Sequence, residues 1–113
     1  MFTDEFFNYA LDGAVAHAGT ASLHTGNPGS TGSNEVSGGG YTRQSVTWGT
    51  ASDGTVETSS AITFNVPGNT TVYYVGLWDG TTFLGYLTLE SPETFTSPGT
   101  LEVTTLHIYA DNP

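Results

Sequence analysis

Beyond residue 17, apolar and polar positions alternate in short runs, each closed by glycine, proline, asparagine or aspartate; the first dozen residues follow a different rhythm. Residues 3–11 read as the single helix. Thr3 suits the N-cap, Asp4 and Glu5 sit where the helix dipole favours negative charge, and Gly13 is the expected stop. Phe2, Phe6 and Ala10 share one face by i, i+4 spacing, and Phe7 and Leu11 share the neighbouring face. A helix this short is unstable alone in water, so it must dock, on its own sheet or on a neighbouring subunit. Phe2, Phe6, Phe7 and Tyr9 together are more apolar surface than a free N-terminus carries.

The rest reads as strands. Residues 18–24 turn Ala21 and Leu23 inward, 25–32 form a loop, and 44–48 place Val46 and Trp48 on one face. Asp53-Gly54 is a hairpin signal with 55–58 as the partner. Residues 61–66 alternate cleanly, with Ile62, Phe64 and Val66 on one face and Thr63 and Asn65 on the other. Pro67-Gly68-Asn69 turns the chain. Residues 71–78 are apolar on both faces, the mark of a central strand. Asp79-Gly80 leads into 82–89, and Ser97-Pro98-Gly99 into a closing run over 101–109, whose slip at Thr104 and Thr105 predicts a bulge. About seven to eight strands with regular turns predict an all-β, antiparallel β-sandwich, jelly-roll or Ig-like, with one short N-terminal helix. We expect a single domain over residues 1–113 with a helical arm at 1–13.

Composition narrows the function. The net charge is −10, with no lysine and a single arginine, Arg43, against eleven carboxylates. Phosphate contacts need cations, so neither nucleic acid nor an anionic membrane is an expected partner. The acidity serves solubility. No stretch is long and apolar enough to span a bilayer, and the acidic start lacks the basic region of a signal peptide; we expect a soluble chain beginning at Met1. With no cysteine there is no disulfide framework. Arg43 follows Gly38-Gly39-Gly40 in a stretch that starts as a polar loop and leaves as a strand. Three glycines permit positive φ and close backbone approach. One arginine among so many acids is expected to pin that loop by a bidentate carboxylate contact.

Little here serves catalysis. Nucleophilic Cys and Lys are missing, no serine sits in a Gly-x-Ser-x-Gly elbow, and the three glycines lead into a strand without a following Lys-Ser/Thr. His17, His24 and His107 lack metal-ligand spacing, although His24 and His107 lie in predicted strands able to meet across a sheet. We expect no enzyme activity, no catalytic residue, no metal and no cofactor. Asp53 and Asp79 are turn residues, and Asn69-Thr70-Thr71 is a turn despite its glycosylation pattern. Trp48, Tyr74 and Trp78 are expected to fill the core, with Tyr41 and Tyr109 covering edges; the competing reading of these aromatics is a sugar-stacking face.

Three blocks carry a family resemblance: His24-Thr25-Gly26-Asn27-Pro28-Gly29, then Asn34-Glu35-Val36-Ser37-Gly38-Gly39-Gly40-Tyr41-Thr42-Arg43-Gln44, then Val75-Gly76-Leu77-Trp78-Asp79 followed by Phe83-Leu84-Gly85. Over residues 17–106 the chain resembles a family of small tailed-bacteriophage virion proteins. Its members are commonly labelled phage tail-fibre proteins, and similar small β proteins decorate phage heads. The resemblance implies a non-enzymatic structural protein made in the bacterial host cytoplasm. The first expectation is a capsid decoration (cement or minor capsid) protein, a homo-trimer held by the major capsid protein on the outer capsid surface. The alternative is a tail-fibre or baseplate module touching the host surface, by way of carbohydrate. The N-terminal aromatics and the ending from Leu106 to Pro113, longer than the family leads one to expect, read as attachment devices particular to this chain. The expected interface residues are Phe2, Phe6, Phe7, Tyr9, Arg43, Ile108 and Tyr109.

Overall fold

The structure is a computed structural model, and it describes residues 1–110. Asp111, Asn112 and Pro113, the end of the long closing segment, lie outside the described residues. One helix and eight strands are described: α1 (Asp4–Val15), β1 (Thr20–His24), β2 (Gln44–Ser45), β3 (Thr55–Glu57), β4 (Ile62–Val66), β5 (Thr70–Asp79), β6 (Thr82–Phe95), β7 (Gly99–Val103) and β8 (His107–Tyr109). Every strand pair is antiparallel. A four-stranded sheet runs β2-β1-β5-β6, and two-stranded sheets are made by β4-β7 and β3-β8. This is the sandwich that the alternation predicts.

Strand β4 obeys period two strictly: Ile62, Phe64 and Val66 are buried, Thr63 and Asn65 exposed. Its apolar face and Val103 of β7 share one core with Ala21 and Leu23 of β1 and Val72, Val75 and Leu77 of β5. Each valine, leucine, isoleucine or phenylalanine among them contributes about 1.5–3 kcal/mol before the cost of ordering the chain. Strand β5 is central, paired with β1 on one side and β6 on the other. Its second half, Val75 to Trp78, is buried on both faces and reads as the apolar run expected of such a strand, whereas Tyr73 in the first half is exposed.

Four local expectations are corrected. Gly13 does not stop α1; the helix runs to Val15, because Leu11 and Val15 pack with Ala51 and Val56, and that burial outweighs the ~1 kcal/mol propensity cost of one glycine. Asp53-Gly54 forms the tight turn, both residues at positive φ, with Ser52 and Thr55 exchanging backbone hydrogen bonds of 2.9 and 3.0 Å. Yet β3 takes β8 as its ladder partner, and the preceding run meets it as isolated bridges, Ser52–Thr55 and Trp48–Thr58, with a Gly49 N–H to Glu57 carbonyl hydrogen bond of 2.8 Å between them. The slip at Thr104 and Thr105 is a break between strands, since β7 pairs with β4 and β8 with β3. Leu106 anchors the crossing: its N–H donates to Thr58 Oγ1 at 3.0 Å, and its carbonyl accepts from Thr58 N at 3.1 Å. Finally, β6 continues past residue 89 to Phe95. Pro92 is tolerated there because β6 is the edge of its sheet.

Candidate functional site

The register Ser22↔Gly76 and His24↔Tyr74 sets Ser22, His24, Tyr74, Gly76 and Trp78 on the outer face of the large sheet. The segment after β1 folds back across half of that face. Thr25 N–H donates to the Asn34 carbonyl, and Val36 N–H to the Leu23 carbonyl, both at 2.9 Å. Beneath it runs a buried polar chain. Trp78 Nε1 donates to Ser22 Oγ at 2.8 Å, Ser22 Oγ lies 2.6 Å from His24 Nε2, and His24 Nδ1 lies 2.7 Å from the Ser33 carbonyl. A carbonyl only accepts, so Nδ1 carries the proton and Nε2 accepts from the Ser22 hydroxyl. The chain is satisfied only while His24 is neutral.

The loop is fastened by three side chains. Glu35 Oε2 accepts from Tyr41 OH at 2.7 Å and from Arg43 Nε at 3.1 Å, and Oε1 accepts from Arg43 Nη2 at 2.9 Å. This is the bidentate contact expected of Arg43. Its guanidinium also lies 3.6 Å above the centre of the Trp78 ring. Tyr41 does not cover an edge: its ring stacks on Phe64 at 6.2 Å and its hydroxyl accepts from Leu23 N at 2.9 Å, tying loop to core. At Gly39 (φ +61) a Cβ would fall 2.7–2.8 Å from Pro67, so close backbone approach is what the glycines allow. Burial pushes the Glu35 carboxyl up, but hydrogen bonds from Arg43 and Tyr41 outweigh it and hold the group below its usual range.

His24 makes the network sensitive to pH. Burial lowers its pKa below the ordinary 6.5, against the opposing pull of the Ser33 carbonyl and the Glu35 charge. The unfolded chain therefore binds a proton that the folded chain refuses, so stability is complete above 6.5 and falls as pH drops toward the folded-state value. Glu35 adds a second loss further down, below 4.5. The urea midpoint is expected to fall between about pH 7.5 and about pH 5.5, with the His24 imidazole staying neutral by NMR after free histidine has titrated. A His24 midpoint at or above 6.5 would contradict the buried tautomer.

The other half of the outer face is open. Tyr74 and Tyr86 meet edge to face at 5.4 Å, Tyr73 lies 6.4 Å from Tyr74, and Tyr73 and Tyr86 are exposed. The sequence reading missed this patch. Two irregularities in the β5–β6 register turn neighbouring residues to the same face, which strict alternation does not anticipate.

The expected interface residues divide. Phe2 and Phe6 stack at 4.1 Å on the exposed face of α1, and Tyr9, 70% exposed, donates to Glu5 Oε1 at 2.9 Å. Phe7 is buried alongside Leu11 and Val15, its ring edge-on to those of Phe2 and Phe6 at 6.1 and 5.7 Å. Asn8 and Asp12 accept from Gly54 N and Ala51 N at 2.9 and 2.8 Å, so α1 is seated on the chain's own fold. Ile108 is half-buried against the core, while Tyr109 is exposed and stacked on His107. His24 and His107 do not meet: one lies under the loop, and the other is 3.2 Å from Glu57 on the β3–β8 sheet. Among the described residues no three His, Cys, Asp or Glu side chains gather as a metal-binding group, and no helix is long and apolar enough to cross a membrane.

A family model described as podophage GP4 fiber I protein gp80 matches residues 6–110, from within α1 to just past β8. The chain belongs to this family. It is therefore a bacteriophage virion structural protein of the gp80 fibre family. The match reaches past both ends of the region 17–106 in which the resemblance was seen, so α1 and β8 are parts of the family's own pattern. Neither a search of curated proteins nor one of solved structures returns a match.

Proposed function

We propose that this gp80-family protein is a non-catalytic fibre module whose open tyrosine patch makes weak, repeated contacts with carbohydrate on the host surface. The observation that carries this reading is the grouping of Tyr73, Tyr74 and Tyr86, with Tyr73 and Tyr86 exposed. Tyrosine rings offer flat apolar faces with a polar tip, and a rigid strand holds them at little entropic cost. The family's description as a fibre protein agrees with it. Affinity per copy is low and the virion multiplies it. With one arginine and no lysine, nucleic acid and anionic membrane stay outside the proposed partners.

The test replaces Tyr73 and Tyr86 by Ala. Both are exposed, so the fold is expected to survive with a stability change within about 1 kcal/mol. Beads coated with the protein should bind host cells, a soluble surface-polysaccharide fragment should compete, and the double variant should lose about tenfold or more in binding. Unchanged binding by the folded double variant would overturn the proposal.

A second reading places the protein on the outside of the head as a decoration protein, a homo-trimer held by the major capsid protein. The outward aromatics Phe6 and Tyr9 favour it, as an attachment surface for another virion subunit. Copy number in purified virions separates the two: near-stoichiometric abundance with the major capsid protein favours the head, and a small fraction of it favours the fibre.

A further inference from the structure

The two sheets of the sandwich leave a mouth on one side. Strand β6 ends the four-stranded sheet, β7 ends the β4–β7 pair, and between them lies a groove of about 710 Å³. A register break shapes it. Val72 pairs with Glu93 and Tyr74 with Thr88, so residues 89–92 of β6 stand opposite the single residue Tyr73 and bow away from the sheet. Leu87, Leu89 and Leu101 line the groove and rest on the core behind it. Glu90, Glu93 and Glu102 line it too.

The charges select the occupant. Three carboxylates face this groove, and the chain's sole arginine is engaged with Glu35 and Trp78 on the loop-covered face. Of the lining residues only His107 is basic, and its Nδ1 lies 3.2 Å from Glu57. A second copy brings net charge −10 and no lysine, so like charge opposes self-pairing there. Glutamates and Pro92 on an edge strand are also the usual guards against strand-to-strand aggregation. A partner that supplies cations meets no such barrier. It finds unpaired edge backbone, a leucine floor and unneutralised carboxylates together, the elements that β-strand addition uses.

We propose that the groove between β6 and the β7–β8 segment seats an extended segment of another virion protein, in which apolar side chains alternate with Lys or Arg. The apolar side chains reach Leu87, Leu89 and Leu101, and the cations meet Glu90, Glu93 and Glu102. This inference is independent of the tyrosine patch, which lies on the outer face of the large sheet.

The test uses the full chain, isotope-labelled, titrated with a capped heptapeptide of alternating lysine and valine. Amide shifts are expected to move at residues 87–93 and 101–107. A lysine–serine peptide of equal charge should bind at least about tenfold more weakly, since it lacks the apolar contacts. The variant E90Q/E93Q/E102Q replaces three exposed residues, and by losing complementary charge it should weaken lysine–valine binding about tenfold or more. Equal binding of both peptides would reduce the effect to net charge and overturn the proposal. So would shifts confined to the tyrosine patch, binding unaffected by the triple substitution, or concentration-dependent shifts at β6 and β7 without peptide, which would make a second copy the occupant.

Discussion

Trp78→Ala is expected to cost about 3–5 kcal/mol, a large part of the roughly 5–15 kcal/mol that holds a domain of this kind folded. The ring is only 6% exposed although it points to the outer face of the sheet. Phe83 packs edge-on against it at 5.0 Å, Arg43 lies over it, and its Nε1 donates to the Ser22 hydroxyl. Truncation leaves a cavity beneath the loop, removes a cation–π contact of about 0.5–2 kcal/mol, and takes away a donor from a buried hydroxyl. Trp78→Phe keeps most of the ring volume and loses the N–H, so its cost should be nearer 1–2 kcal/mol by the ordinary scale of one hydrogen bond. Urea unfolding of the two variants measures both. A Trp78→Ala loss under about 1.5 kcal/mol would show that the ring is not the floor on which the loop stands.

Gly32→Ala is expected to cost about 2–5 kcal/mol from two sources. Gly32 has φ +81, where an L side chain pays ~1–2 kcal/mol. Its Cβ would also fall 2.5–2.6 Å from the Trp78 ring, and a clamped ring can move only by opening the network, at ~1–3 kcal/mol. Gly29 separates the two sources. It has φ +63 with no atom within 4 Å of the added Cβ, so Gly29→Ala should show the backbone cost alone. Because the clash partner is Trp78, the Gly32→Ala and Trp78→Ala losses should sum to more than the double variant shows. Strict additivity would mean that loop and ring are not in contact.

Much of this architecture was legible because it rests on local rules. The alternation of β4, the Asp53-Gly54 turn and the central character of β5 follow from period two, positive φ and two-sided burial. What escaped depends on contacts distant in sequence. That β8 selects β3 follows from where Leu106 binds Thr58, which no window of neighbours encodes. The loop network was half legible: a lone arginine announces a carboxylate, but nothing local names Glu35 among eleven acids or lays the guanidinium on Trp78. Ser22 and His24 have the polar phase of β1 and read as solvent-facing until the loop is known to cover them. The tyrosine patch was hidden by the register shifts of β5 and β6.

The pairing of β3 with β8 has a consequence for the order of events during synthesis. Phe7, Leu11 and Val15 emerge from the ribosome well before their seat, which includes Val56 and, beside it, Ile108 of β8. The nascent helix thus has no finished resting place until the chain has been made through residue 109. Until then its apolar stripe is available to chaperones, or to the same stripe on another nascent chain. Closure over some fifty residues of intervening chain is a non-local step of the kind that slows β proteins to milliseconds or longer. The seating of α1 therefore waits on the synthesis of β8, some fifty residues after β3.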